Sequence, residues 1–127
     1  MKRIGLTQRV DIITDCGERR DALDQRWHLL LLEMNMMPVP LPNVLPSLAP
    51  LMLEELKLDG VIFTGGNSLC HLDEMANDRA PERDKFELAL IAHAIDLSLP
   101  FFGVCRGMQI INHHFGGRLV KIKNHVA

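Results

Sequence analysis

Two short, uninterrupted apolar runs, Val61-Ile62-Phe63-Thr64 and Leu99 to Val104, flank a long helical stretch that begins at Pro81-Glu82 and reaches about Ser98. Runs that are apolar at every position suit strands buried on both faces, as in a parallel sheet. Parallel neighbours need a long crossover to bring the chain back to the same end, and the helix supplies it. Such crossovers are right-handed in nearly all cases. The first strand ends at Gly65-Gly66-Asn67 and the second at Cys105. The rest of the chain must accommodate this unit.

Upstream, Lys2 to Thr7 reads as a short strand with Ile4 and Leu6 inward, and Gln8 to Gly17 as a loop. A helix is expected from about Arg19 to Asn35. Its stripe of Leu23, Trp27, Leu30, Leu31 and Met34 has helical spacing, with Trp27 as a core anchor. Met36 to Leu41 is a strand whose prolines, Pro38 and Pro40, confine it to a sheet edge. Asn43 to Pro50 reads as a loop or broken helix, Leu51 to Leu56 as a short helix, and Ser68 to Arg79 as a polar surface loop.

The long helix carries two apolar stripes, Phe86, Leu90, His93, Leu97 and Leu88, Ile91, Ile95, and has proline and acid in its first turn. Arg106 to Phe115 forms the helix after Cys105, stopped by Gly116-Gly117, and Arg118 to Ile122 alternates like a fifth strand. The expected fold is α/β, a flavodoxin-like parallel sheet in the order 2-1-3-4-5 with helices on both faces. That order puts the proline-bearing strand on an edge. Ligands of such sheets bind outside the carboxyl ends of the strands, here at Thr7-Gln8-Arg9, Thr64-Gly65-Gly66 and Cys105.

A chain of 127 residues is one domain by length. A net charge of −2 gives no electrostatic footprint for nucleic acid or an acidic membrane. No apolar run reaches a membrane-spanning length, and Met1 to Leu6 lacks the apolar core of a signal peptide. The three cysteines, Cys16, Cys70 and Cys105, form no C-x-x-C pair, which suits a reducing cytoplasm better than a disulfide framework. No histidine–cysteine spacing matches a zinc site and no H-E-x-x-H occurs, so no metal is expected.

Gly103-Val104-Cys105-Arg106-Gly107 is the thiol form of the G-x-S-x-G nucleophile elbow. The glycines permit a sharp strand-to-helix turn, and the helix N-terminus presents unpaired N–H groups that attract negative charge. A buried, inert cysteine is the plain alternative; the flanking glycines favour the nucleophile. An oxyanion hole needs the N–H after the nucleophile, from Arg106, and a second donor from a facing loop, for which Gly65 or Gly66 is the candidate. The alternative for Gly65-Gly66 is a simple turn. None of the six histidines stands out as a base: His28, His71 and His93 lie away from the strand ends, His113 and His114 sit about two turns beyond Cys105, and His125 is near the chain's end.

These residues resemble a known family. Phe102-Gly103-Val104-Cys105-Arg106-Gly107-Met108-Gln109, with Phe63-Thr64-Gly65-Gly66-Asn67 and Glu82-Arg83-Asp84, is similar to the γ-glutamyl hydrolase branch of the class I glutamine amidotransferase-like fold, the peptidase C26 group. The front segment, Ile4 to Arg9 and Glu18 to Trp27, resembles a narrower subgroup that includes γ-glutamyl-CDP-amidate hydrolases. The resemblance implies that residues 1–127 are the N-terminal half of such a domain. It implies that Cys105 attacks a γ-glutamyl amide to form a thioester, with backbone donors at Arg106, Gly65 and Gly66. Gln109 matches the position that contacts the glutamyl group in relatives, and Asn67 is the second substrate-binding candidate. The family's histidine and glutamate lie in an H-x-E motif that these residues do not contain. Ser68 replaces an acidic residue that many relatives carry.

The leading expectation is hydrolysis of a γ-glutamyl amide with a small-molecule substrate and no cofactor, by a chain inactive on its own. A glutaminase subunit that feeds ammonia to a synthetase is an alternative. A truncated, non-catalytic binding domain is another. A redox-sensing flavodoxin-like relative would want an acid at the end of the first strand, where Gln8 and Arg9 stand. Half a domain leaves apolar surface open, so self-association is expected.

Overall fold

The computed structural model describes residues 1–124. The chain runs β1 (Lys2–Thr7), β2 (Arg9–Ile13), β3 (Glu18–Ala22), α1 (Gln25–Glu33), β4 (Met36–Leu41), α2 (Ala49–Glu55), β5 (Gly60–Phe63), α3 (Pro81–Asp96), β6 (Phe101–Gly103) and α4 (Arg106–His114), with a short 3-10 turn at Pro46–Leu48. Four strands form a parallel sheet in the order β4-β1-β5-β6. Leu6 stands opposite Pro40 on one side and Ile62 on the other, and Phe63 stands opposite Gly103. Proline-bearing β4 is an edge strand, as its missing N–H groups require.

Alternation across the sheet sorts its side chains onto two faces. Val61, Phe63 and Phe101 point to the face covered by α2, α3 and α4, where they pack with Leu53, Phe86, Leu90, Ile91 and Ile110. Ile62 and Phe102 point to the other face, where α1 is the helix beside them. There Trp27, Leu30, Leu31 and Met34 border an open groove of about 350 Å³ with Ile4, Ile62 and Phe102. Trp27 is only half-buried, so the core-anchor expectation is corrected: Leu31 is the buried residue of α1, and Trp27 is a groove wall.

Two further expectations change. Residues 9–22 are not a loop leading into a helix but an antiparallel hairpin, β2–β3, turned at Gly17 with φ +71°. Val10 and Ile12 alternate with Arg9 and Asp11, a period-2 signal that the helical reading of the following charged run obscured. That run stays extended because tertiary partners hold it: Arg19 bonds Glu82 of α3, and Asp21 accepts from the Asn43 backbone and side chain. The helix begins later, capped by Asp24, whose carboxylate accepts from Arg26 N at 2.9 Å. The Arg26 guanidinium, then its backbone N–H, pull the Asp24 pKa down to about 2.

The fifth strand is also absent among the described residues: Arg118–Ile122 has no ladder. Leu119 to Ile122 instead border a recess beside α4. Strand alternation needs a paired edge to become a strand, and β6 offers only three residues. His125 lies outside the described residues. Among those residues, no helix is long and apolar enough to cross a membrane.

Candidate active site

The carboxyl ends of β1, β5 and β6 meet where the topology requires. Beyond the ladder, Thr64 N donates to Thr7 Oγ1 at 3.0 Å and Thr64 Oγ1 donates to Thr7 O at 2.7 Å. Val104 N donates to Phe63 O at 3.0 Å, so β6 stays registered with β5 up to the turn. The next residue, Cys105, caps α4 with φ 53° and ψ −115°, a conformation that L side chains rarely adopt. Its side chain is exposed.

The elbow's glycines are required by contact. A Cβ on Gly107 would lie 1.9 Å from Phe63 O, and one on Gly103 would lie 2.6 Å from Gly107 C. Strand, turn and helix are therefore in backbone contact, and any side chain at either position pushes them apart. Arg106 holds the first position of α4, where a backbone N–H has no intrahelical acceptor.

The loop after β5 faces this elbow. A Cβ on Gly65 would come 3.4 Å from Cys105 Cβ, so the loop lies against the cysteine. Gly66 has φ +89°, and Arg9 of the hairpin packs over it. Asn67 also has positive φ, and its side chain is fully committed to the protein. Its Oδ1 accepts from Val10 N at 2.9 Å and Arg83 Nη1 at 3.2 Å; its Nδ2 donates to Val10 O and Asp78 O, each at 2.9 Å. The Asn67 side chain thus holds the hairpin to the loop. Gln109 lies one turn past Cys105, half-buried, and borders a recess of about 690 Å³ with Asn67, Ser68, Arg106 and Leu119 to Ile122.

Beneath the loop lies a cluster of charges that apolar periodicity did not find. Arg83 of α3 is fully buried. Its Nη1 donates to Gly65 O at 3.0 Å and Gly66 O at 2.7 Å, its Nη2 to Thr64 O at 2.8 Å, and its Nε to Glu87 Oε1 at 2.9 Å. Glu87 Oε2 accepts from Arg106 Nη1, and Asp84 Oδ1 accepts from Arg106 Nη2. Asp84 Oδ2 accepts from Cys70 N at 3.0 Å. Two guanidiniums thus face two carboxylates, which makes burial of all four tolerable. Burial pulls the Arg83 pKa down, and the Glu87 charge opposes that pull.

The sequence does carry a signal for this cluster. Arg83, Glu87, Leu90 and Ala94 follow helical spacing, so the two charged residues share a face with buried apolar ones.

The peptide bonds are trans, so each N–H points opposite to the carbonyl before it. Carbonyls of Thr64, Gly65 and Gly66 that turn toward Arg83 therefore aim the N–H groups of Gly65, Gly66 and Asn67 away from α3. Among the described residues, none of these three N–H groups has an acceptor.

No histidine bonds Cys105 among the described residues. His71 and His113 stack on each other, with ring centroids 3.8 Å apart and planes 20° apart. Desolvation of the stacked His71 ring, and then the charge of His113, push its pKa below the usual 6.5, against a weaker pull from Asp84. No group of three or more metal-ligating side chains is assembled among the described residues.

The family model for peptidase C26 matches residues 4–126. The γ-glutamyl-CDP-amidate hydrolase of Campylobacter jejuni is 30% identical over 127 residues, covering 98% of this chain and 60% of that protein. The γ-glutamyl-γ-aminobutyrate hydrolase of Escherichia coli O157:H7 is 34% identical over 112 residues, covering 81% of this chain and 42% of that protein. A putative glutamine amidotransferase-like protein of Lactococcus lactis, YvdE, is 41% identical over 68 residues, or 49% of this chain and 29% of that protein. The chain thus spans 60% or less of the length of each of these relatives. A glycine-flanked cysteine on a strained strand-to-helix turn, the parallel sheet that carries it and the family match agree: this chain belongs to the peptidase C26 family, within the class I glutamine amidotransferase-like fold.

Proposed function

We propose that this chain supplies the nucleophile and the oxyanion hole for hydrolysis of a γ-glutamyl amide. Cys105 sulfur attacks the γ-carbonyl carbon, and the carbonyl π pair moves onto oxygen. The N–H of Arg106 and those of the Gly65-Gly66 loop receive that charge. Collapse of the adduct breaks the C–N bond, the amine leaves with the proton that the Cys105 thiol gives up, and a γ-glutamyl thioester remains on Cys105. Water then attacks the thioester, a step that needs a base. Gln109, at the edge of the adjoining recess, contacts the glutamyl moiety.

The observation that carries this reading is the pairing of an exposed cysteine at φ 53° with an adjoining loop whose N–H groups have no protein acceptor among the described residues. Two relatives are named as γ-glutamyl hydrolases, which supports the substrate class.

The glutamate γ-(4-nitrophenyl) ester tests it, because nitrophenolate departs without an acid catalyst. The chain is expected to release one equivalent of nitrophenolate and to gain one glutamyl group on Cys105. The thioester should persist, because among the described residues no base is bonded to the cysteine. Cys105→Ala should abolish both signals. Labelling elsewhere, or none, would refute the assignment. Sustained turnover of γ-glutamyl amides by the chain alone would refute its expected inactivity.

A further inference from the structure

We propose that Arg83 is a positioning residue for the oxyanion hole. It acts by gripping the carbonyls of the loop and, through Glu87, by tying that loop to the residue that follows the nucleophile. The inference rests on the reading of Cys105 and its backbone donors given above.

Donors that stabilise an oxyanion must be fixed before the charge develops, and small displacements are costly. A loop of two glycines and an asparagine has no intrinsic rigidity of that kind. Arg83 supplies it from below. One guanidinium accounts for the carbonyls of Thr64, Gly65 and Gly66 and for Asn67 Oδ1, at 2.7 to 3.2 Å. Each carbonyl it holds fixes the N–H on the far side of the same peptide plane.

The second half of the hole hangs on the same cluster. Glu87 accepts from Arg83 Nε with one oxygen and from Arg106 Nη1 with the other. Arg106 is the residue whose backbone N–H follows Cys105, and Asp84 holds its other terminal nitrogen. Loop donors and elbow donor are therefore fastened to one helix, α3, by side chains that are almost fully buried. Only a planar fork spans this many carbonyls at once. Lysine carries the same charge with a single nitrogen and cannot.

The test compares two reactions of Cys105 in the full chain. Acylation by the glutamate γ-(4-nitrophenyl) ester passes through an oxyanion, and alkylation by iodoacetamide does not. Arg83→Lys and Arg83→Gln are each expected to slow acylation by about 10- to 100-fold, while the alkylation rate stays within about two-fold of the wild type. Circular dichroism and thermal unfolding report whether each variant is folded.

Equal acylation rates in folded variants would overturn the proposal, and so would equal slowing of both reactions. Failure of both variants to fold would also count against it, because a positioning role predicts a folded protein with a selective defect. Should the wild type itself resist acylation at Cys105, the underlying hydrolase reading fails first, and that outcome is separate from the others.

Discussion

Cys105, the proposed nucleophile, sits in a strained backbone conformation, with φ 53° and ψ −115°. A non-glycine side chain in an unfavoured backbone region costs about 1–3 kcal/mol. Glycine escapes that cost but gives up about 0.4–1 kcal/mol through a more flexible unfolded chain. The strain is the larger effect, so Cys105→Gly is expected to be more stable than Cys105→Ala by about 1 kcal/mol. Urea denaturation of the two variants measures this; an alanine variant as stable as the glycine variant would show that the turn is relaxed. The turn itself was legible in the sequence, since only glycines admit the backbone contacts at Gly103 and Gly107. The commitment of the Asn67 side chain was not. It depends on the hairpin, a partner 57 positions away in the chain.

At the scale of elements, α3 explains how a polar loop is held over a sheet. Its buried face combines Phe86, Leu90 and Ile91 with Arg83, Asp84 and Glu87. Removing one partner from a buried ion pair leaves an uncompensated charge, so Glu87→Gln is expected to cost about 3–5 kcal/mol. The Arg19–Glu82 pair at the start of the same helix is solvent-exposed, and Glu82→Gln should cost less than about 1 kcal/mol. Denaturant midpoints of the two variants check the contrast, and comparable losses would mean that the cluster is not a distinct support. Apolar periodicity found α3 and its core contacts, but it counts only apolar positions. Charges on the buried face therefore escaped it. The β2–β3 hairpin escaped for a related reason: its second strand is almost wholly charged, and partners on other elements keep it extended.

At the scale of the whole molecule, the two faces of the sheet are unequal. Three helices cover one face, while beside α1 the other keeps Phe102 at 64%, Met34 at 54% and Leu30 at 46% exposure. Contiguous apolar surface of this kind drives association. The isolated chain is expected to self-associate through this groove, and Phe102→Asp to shift it toward monomer. Sedimentation velocity over a dilution series reads both; a wild-type chain that stays monomeric at every concentration would exclude the idea.

The sequence by itself determined the α/β class, the edge position of the proline-bearing strand, the elbow at Cys105 and the facing glycine loop. Each follows from a local rule: apolar runs, the missing proline N–H, and turns that only glycine allows. The tertiary structure alone decided what holds the loop in place, what the asparagine side chain does, and that residues 119–122 border a recess rather than pair with β6. Those outcomes depend on which distant groups meet. Helical spacing puts Arg83 on a buried face, but which carbonyls its guanidinium reaches depends on a loop that only the fold brings to it.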